Sequence, residues 1–102
     1  MFGNSGITSQ LENGTLTIRL GRKFDNAAKR EFQSAYAGQE AVRRYVVDFR
    51  SVTLVDSAAL GMLLILRAKA GEEHAEVTLR HLTETILAIF KVAHFDKLFR
   101  IE

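Results

Sequence analysis

One stretch decides what this chain can become: Val46-Val47-Asp48-Phe49-Arg50-Ser51-Val52-Thr53-Leu54-Val55-Asp56-Ser57-Ala58-Ala59-Leu60-Gly61-Met62-Leu63-Leu64-Ile65-Leu66. Its opening, Tyr45 to Phe49, is a β-branched and aromatic run, apolar on both faces except at Asp48, and reads as a short strand. Residues 50–55 read as a loop, after which the chain re-enters order as a helix. Asp56 and Ser57 stand just before that helix, where short side-chain oxygens accept bonds from its unpaired backbone N–H groups. One small hydroxyl is thus held at the positive end of a helix, beside a carboxylate.

The helix itself is too apolar for an ordinary surface element. Ala58 to Leu66 is apolar all round, a pattern of burial on more than one side. At 100° per residue, Leu60, Leu63 and Leu64 share a face that Arg67 extends with its aliphatic stem, and that face is expected in the core. Ala58, Met62, Ile65 and Lys69 form a second line, expected to look outward. A partner can cover that line, and Gly61, one turn after Ser57, lets a partner's backbone come close. The competing reading packs Met62 and Ile65 under the 50–55 loop or beside a neighbouring helix.

Around this centre the chain alternates strands and helices. Residues 1–6 form a Gly-, Asn- and Ser-rich lead-in, read as flexible, and residues 7–102 form a single domain. Ile7 to Leu11 and Thr15 to Leu20 read as strands joined by a hairpin turn at Asn13-Gly14. Gly21 to Phe24 breaks the pattern. Asp25 then caps a helix from Asn26 to Gly38, with Ala28, Phe32, Ala35 and Tyr36 on one face. Gly71 is placed as the left-handed stop of the central helix. Ala75 to Leu79 alternates as a strand, Thr83 caps a helix over 84–93, and 95–101 closes with a turn and an edge strand. The order β-β-α-β-α-β-α-β, with helices crossing between strands, predicts an α/β fold with a mixed sheet packed by helices.

Composition narrows the function. With 14 basic and 12 acidic residues the net charge is +2, so no strong field favours nucleic acid or anionic lipid. The basic pairs Arg22-Lys23, Lys29-Arg30 and Arg43-Arg44 lack interleaved stacking aromatics, so nucleic-acid binding is not expected. There is no cysteine, which removes disulfides, thiolate zinc sites and cysteine nucleophiles together. His74, His81 and His94 lack metal-ligand spacing, so no metal is expected. The apolar block ending at Leu66 is far shorter than the ~20 residues a bilayer needs. The expectation is a cytoplasmic domain with no direct membrane insertion. Ser57 lacks a Gly-x-Ser-x-Gly elbow, and no nucleotide-binding loop with its Lys-Ser/Thr is present. Neither an enzyme nor a cofactor is expected.

Two readings of Ser57 remain from the residues alone. It is a helix cap, or it is a phosphate acceptor whose added charge the helix N-terminus would accommodate. In the second case a partner docked over the helix would meet about 1.5–2 new negative charges.

Val55-Asp56-Ser57-Ala58-Ala59-Leu60-Gly61 resembles the signature of STAS domains, the fold of bacterial anti-sigma factor antagonists such as SpoIIAA. The family pattern is an Asp-Ser-Ser-Gly-Leu-Gly run after a strand, with the first Ser phosphorylated; that position is Ser57. Leu20 to Asp25 is similar to the family's Leu-x-Gly-x-Leu-Asp, and residues 86–99 match its last helix and closing strand. Two departures stand out. Ala58 and Ala59 replace the second Ser and the Gly, and Arg22 stands where a Gly is usual.

The resemblance implies a partner switch. The unphosphorylated domain binds an anti-sigma factor or similar regulator through Asp25, Asp56, Ser57, Ala58, Gly61, Met62 and Ile65. A serine kinase of the GHKL type modifies Ser57 and blocks binding, and a PP2C-type phosphatase resets it. The resemblance is greatest to small proteobacterial antagonists governing motility or biofilm formation. The alternative is a non-catalytic STAS subunit of a transporter ATPase or a stress-signalling complex.

Overall fold

The computed structural model describes residues 5–102. Seven strands and three α-helices follow in the order β1 (Thr8–Glu12), β2 (Thr15–Arg19), β3 (Lys23–Phe24), α1 (Lys29–Tyr36), β4 (Arg44–Asp48), β5 (Leu54–Val55), α2 (Ser57–Glu72), β6 (Glu76–Arg80), α3 (Glu84–Val92) and β7 (Arg100–Ile101). Five strands form one sheet in the order β1-β2-β4-β6-β7. Only β1 is antiparallel to its neighbour, so the sheet is mixed as expected. Asn13 (φ 53°) and Gly14 (φ 81°) supply the two left-handed residues that a two-residue hairpin turn requires.

Each parallel connection, from β2 through α1 to β4 and onward, steps one strand in the same direction. Right-handed crossovers then place all three helices on one face of the sheet. Side-chain alternation agrees. Leu16, Ile18, Tyr45, Val47, Val77 and Leu79 belong to the core beneath the helices. Thr15, Thr17, Arg19, Arg44, Val46, Asp48, Glu76, Thr78 and Arg80 occupy the alternate positions, on a face that is polar except at Val46 and that no helix among the described residues covers.

An unbroken series of rings ties the layers together. Tyr36, Phe32, Phe24, Phe49, Phe90, Phe95 and Phe99 follow one another with centroids 5.0–5.7 Å apart. The series runs from α1 through the ends of β3 and β4 to α3 and the closing turn, and it fixes the loops on which the candidate site is built.

Residues 1–4 of the lead-in lie outside the described residues; at Ser5 the N–H and hydroxyl both donate to Glu31 Oε1, at 2.6 and 3.1 Å. Gly21 makes that crossing possible, because a Cβ there would collide with the Ser5 carbonyl oxygen. Elsewhere several expectations need correction. The 26–38 helix begins as a 3-10 turn over Asn26–Ala28, and α1 proper ends at Tyr36. Gly71 does not stop α2. The helix runs on to Glu72, the left-handed residue is His74 (φ 56°), and Ala75 N–H closes the end on the Ala70 carbonyl at 2.8 Å. Thr83 caps α3 as expected, accepting from Ile86 N–H at 3.2 Å.

Candidate functional site at the start of helix α2

The break at 21–24 and the loop at 50–55 are not independent turns. Their ends form a second, two-stranded parallel sheet, with Lys23 opposite Leu54 and Phe24 opposite Val55. Thr53 N–H donates to the Arg22 carbonyl at 2.7 Å and extends the pairing by one residue. The residues that follow in register are Asp25 and Asp56, so the small sheet brings together two carboxylates 31 positions apart in the chain.

Asp56 is the N-cap of α2. Its Oδ1 accepts the Ala59 N–H at 3.0 Å, while its Oδ2 accepts the Asn26 N–H at 3.2 Å. One carboxylate thus ties the start of α2 to the start of the 3-10 turn that precedes α1. Asp25 does not cap with its side chain, contrary to expectation; its backbone carbonyl receives the Ala28 N–H at 3.0 Å instead. At the same turn Asp56 supplies the acceptor for the Asn26 N–H.

Ser57 is then the first residue of α2 and not its cap. Its side chain is exposed, and its hydroxyl makes no hydrogen bond to any described residue. With Ala59 N–H taken by Asp56, the Ser57 and Ala58 N–H groups stay open at the positive end of a 16-residue helix. Chemically, this is an accessible hydroxyl where a new anion is tolerated.

The faces of α2 differ from the expected ones by about one residue. Ala59, Met62, Leu63, Leu66 and Ala70 are buried, at i, i+3, i+4, i+7 and i+11. Met62, expected to look outward, is 3% exposed and belongs to the core, whereas Leu64, expected in the core, is 42% exposed. Arg67 does not extend the core; its Nε donates to the Leu98 carbonyl at 3.1 Å. A helix apolar all round carries no hydropathy signal for its phase, so the sheet decides it. The outward line is Ser57, Gly61, Leu64, Ile65 and Ala68, at i, i+4, i+7, i+8 and i+11, with Ala58 half-buried at its margin. Ile65 is 47% exposed, as is Leu54 on β5. From Ser57 to Ala68 the stripe carries no charge, and Glu72, at i+15, closes its far end. Counting helical positions from Ser57 finds Leu64 and Ala68, which hydropathy alone passes over.

A polar cluster braces the loop that leads to this site. Asp48, buried at the end of β4, accepts the Arg50 N–H at 2.9 Å and sits 2.9 Å from His81 Nδ1. Arg50 reaches His81 Nε2 at 3.2 Å, and Arg19 Nε lies 4.0 Å from the same carboxylate. Burial pushes the Asp48 carboxyl up, but the His81 and Arg50 hydrogen bonds and their charges outweigh it and hold the group below its usual value. Among the described residues no group of three or more His, Cys, Asp or Glu could hold a metal, and no helix is long and apolar enough to cross a membrane.

Comparison with known proteins gives this geometry a context. The family model described as "Mlab, STAS domain" matches residues 7–100. A STAS-domain containing protein of Pseudomonas aeruginosa (strain UCBPP-PA14) is 42% identical over 87 residues, covering 84% of this chain and 86% of that one. The Bacillus protein SpoIIAA, an anti-sigma factor antagonist, is similar in fold in its unphosphorylated form (TM-score 0.74, 17% identity, 94% of this chain and 86% of that one). Its phosphorylated form is similar too (TM-score 0.73, 18% identity, 94% and 90%). An anti-sigma-factor antagonist (STAS) domain protein from Planctomyces limnophilus gives a TM-score of 0.80 at 16% identity, over 93% of this chain and 87% of that one. At such identities the solved structures establish the fold alone.

Proposed function

This chain belongs to the STAS-domain family, and we propose that it is a phosphorylation-controlled partner switch. The unphosphorylated domain binds an anti-sigma factor or a similar regulator over the outward face of α2, and phosphorylation of Ser57 blocks that binding. The observation that carries the reading is the division of labour at the helix start. Asp56 does the capping, which leaves the Ser57 hydroxyl exposed and uncommitted. A residue with no structural duty, at the head of an uncharged apolar stripe, is placed to change that stripe without changing the fold.

The chain supplies the acceptor, and the ATP chemistry belongs to a partner kinase of the GHKL type, with a PP2C-type phosphatase reversing the step. In the transfer, the Ser57 hydroxyl oxygen forms a bond to the γ-phosphorus of ATP. The bond to the ADP oxygen breaks, and the hydroxyl proton leaves to a base on the kinase. The product adds about 1.5–2 negative charges beside Asp56 and Asp25. A partner surface matched to the uncharged stripe then meets a concentrated anionic patch. Of the partner-binding residues expected from sequence, Asp25, Asp56, Ser57, Ala58, Gly61 and Ile65 stay in the proposal. Met62 leaves it, because it is buried, and Leu64 and Ala68 join it.

The test is intact mass with site mapping after incubation with ATP and a GHKL-type serine kinase from the same organism, wild type against Ser57→Ala. One phosphate on Ser57, absent from the variant and accompanied by loss of regulator binding, is the expected result. An active kinase that leaves the folded protein unmodified would favour the alternative, a non-catalytic subunit of a transporter or stress-signalling assembly.

A further inference from the structure

The sheet ends on one side in β1, and all five of its residues are exposed. The two-residue turn makes Glu12 and Thr15 a hydrogen-bonded pair, so Gln10–Thr17 and Thr8–Arg19 are bonded pairs as well. The N–H and C=O groups of Ser9 and Leu11 therefore point away from β2, along an edge that no other described strand pairs. The usual protections of such an edge are absent: β1 contains no Pro and no Lys. Grooves flank it on both sides. One, of about 250 Å³, lies on the helical side between Ile7, Ser9, Ser34 and Ala35. The other, of about 380 Å³, lies on the open face between Thr8, Gln10, Thr17, Arg19 and Arg80. An unpaired edge with a recess on either side for alternate side chains is the form that strand addition requires.

We propose that a second copy of this chain fills the edge, β1 pairing antiparallel with β1 about a two-fold axis through Gln10. Complementarity selects this occupant. In that register Ser9 of each copy faces Leu11 of the other, so both bonded pairs use outward-pointing groups. Each Leu11, 43% exposed in the single chain, enters the groove between Ile7 and Ala35 of its mate. Glu12 of one copy comes opposite Thr8 of the other, and Thr8 is the neighbour of Arg19. Glu12 and Arg19 then lie two strand spacings apart, about 9.6 Å, a gap their extended side chains can close. Arg19 can reach across it: its side chain is 68% exposed, and at 4.0 Å its Nε is beyond hydrogen-bond distance of Asp48. The axis creates this pair twice. It also reverses strand direction between copies, which sets the two α2 N-termini at opposite ends of a ten-stranded sheet.

Sedimentation velocity on the full chain over a concentration series tests this independently of Ser57. Reversible dimerisation of wild type is expected. Ser9→Pro, which removes an N–H that β2 does not use, should abolish it with the far-UV circular dichroism unchanged. Glu12→Arg should weaken the dimer at least tenfold, and adding Arg19→Glu in the same chain should restore it. Wild type that stays monomeric up to its solubility limit overturns the proposal. So does a dimer that survives Ser9→Pro, or one that Glu12→Arg leaves unchanged.

Discussion

Asp56 Oδ2 and the backbone N–H of Asn26 lie 3.2 Å apart, and the same carboxylate holds Ala59 N–H at 3.0 Å through its other oxygen. The start of α2 and the turn after β3 are joined through a single side chain, next to a serine that takes no part in the joint.

Asp56→Ala should therefore destabilise the protein by about 1–2 kcal/mol, because it removes a helix cap and a second hydrogen bond together. Ser57→Ala should change stability by less than about 0.5 kcal/mol, as expected of a surface position without partners. Urea denaturation of the two variants separates the roles. A loss at Ser57 equal to that at Asp56 would return Ser57 to a capping function.

Gly61 sits mid-helix with open space where its Cβ would be. Nothing among the described residues requires a glycine there, and alanine is favoured in a helix by about 1 kcal/mol. Gly61→Ala should raise the thermal midpoint while weakening regulator binding, since the added methyl fills the low point of the outward stripe. A gain in both stability and affinity would argue that the partner docks elsewhere.

Met62 and Leu64, two residues apart, should respond in opposite ways. Met62→Ala opens the core and should cost about 2–5 kcal/mol. Leu64→Asp lies on the exposed stripe and should leave stability nearly unchanged while abolishing regulator binding, as pull-down and denaturation in parallel would show.

Asp48 sets part of the acid limit. Its folded-state pKa is lowered, so its contribution is fully present above the unfolded value of about 3.9. That contribution is lost as pH falls through the lower folded value, where protonation favours the unfolded chain. Asp48→Asn should reduce stability at neutral pH and flatten the decline below about pH 4 in denaturation curves collected from pH 2 to 7. An unchanged acid limb would mean that other carboxylates account for it.

Much of this architecture was legible in the chain. Period-two alternation over Thr15–Leu20, the Asn-Gly turn and the Asp-Ser before an apolar run each carry a local signal that the tertiary structure leaves intact. Two parts were not legible, for physical reasons. The pairing of Lys23–Phe24 with Leu54–Val55 is a two-residue, long-range contact with no periodicity to detect, yet it aligns Asp25 with Asp56. The orientation of α2 was invisible because hydropathy around it is uniform; only the sheet beneath distinguishes Met62 from Leu64. His81 read as an isolated strand-end histidine, and its partner Asp48 lies 33 positions earlier, in a run that looked purely apolar but for that one charge.

The isolation of Ser57 bears on how long the protein lasts. Degradation of small domains follows the fraction of chains that open, and that fraction follows folding free energy. Removing a hydroxyl that supports nothing leaves that balance unmoved, whereas an added phosphate meets the open N–H groups at the start of α2 and can only hold or raise stability there, so the modified form would not be cleared faster than the unmodified one. A fall in the modified fraction would then report removal of the group and not faster loss of the chains that carry it.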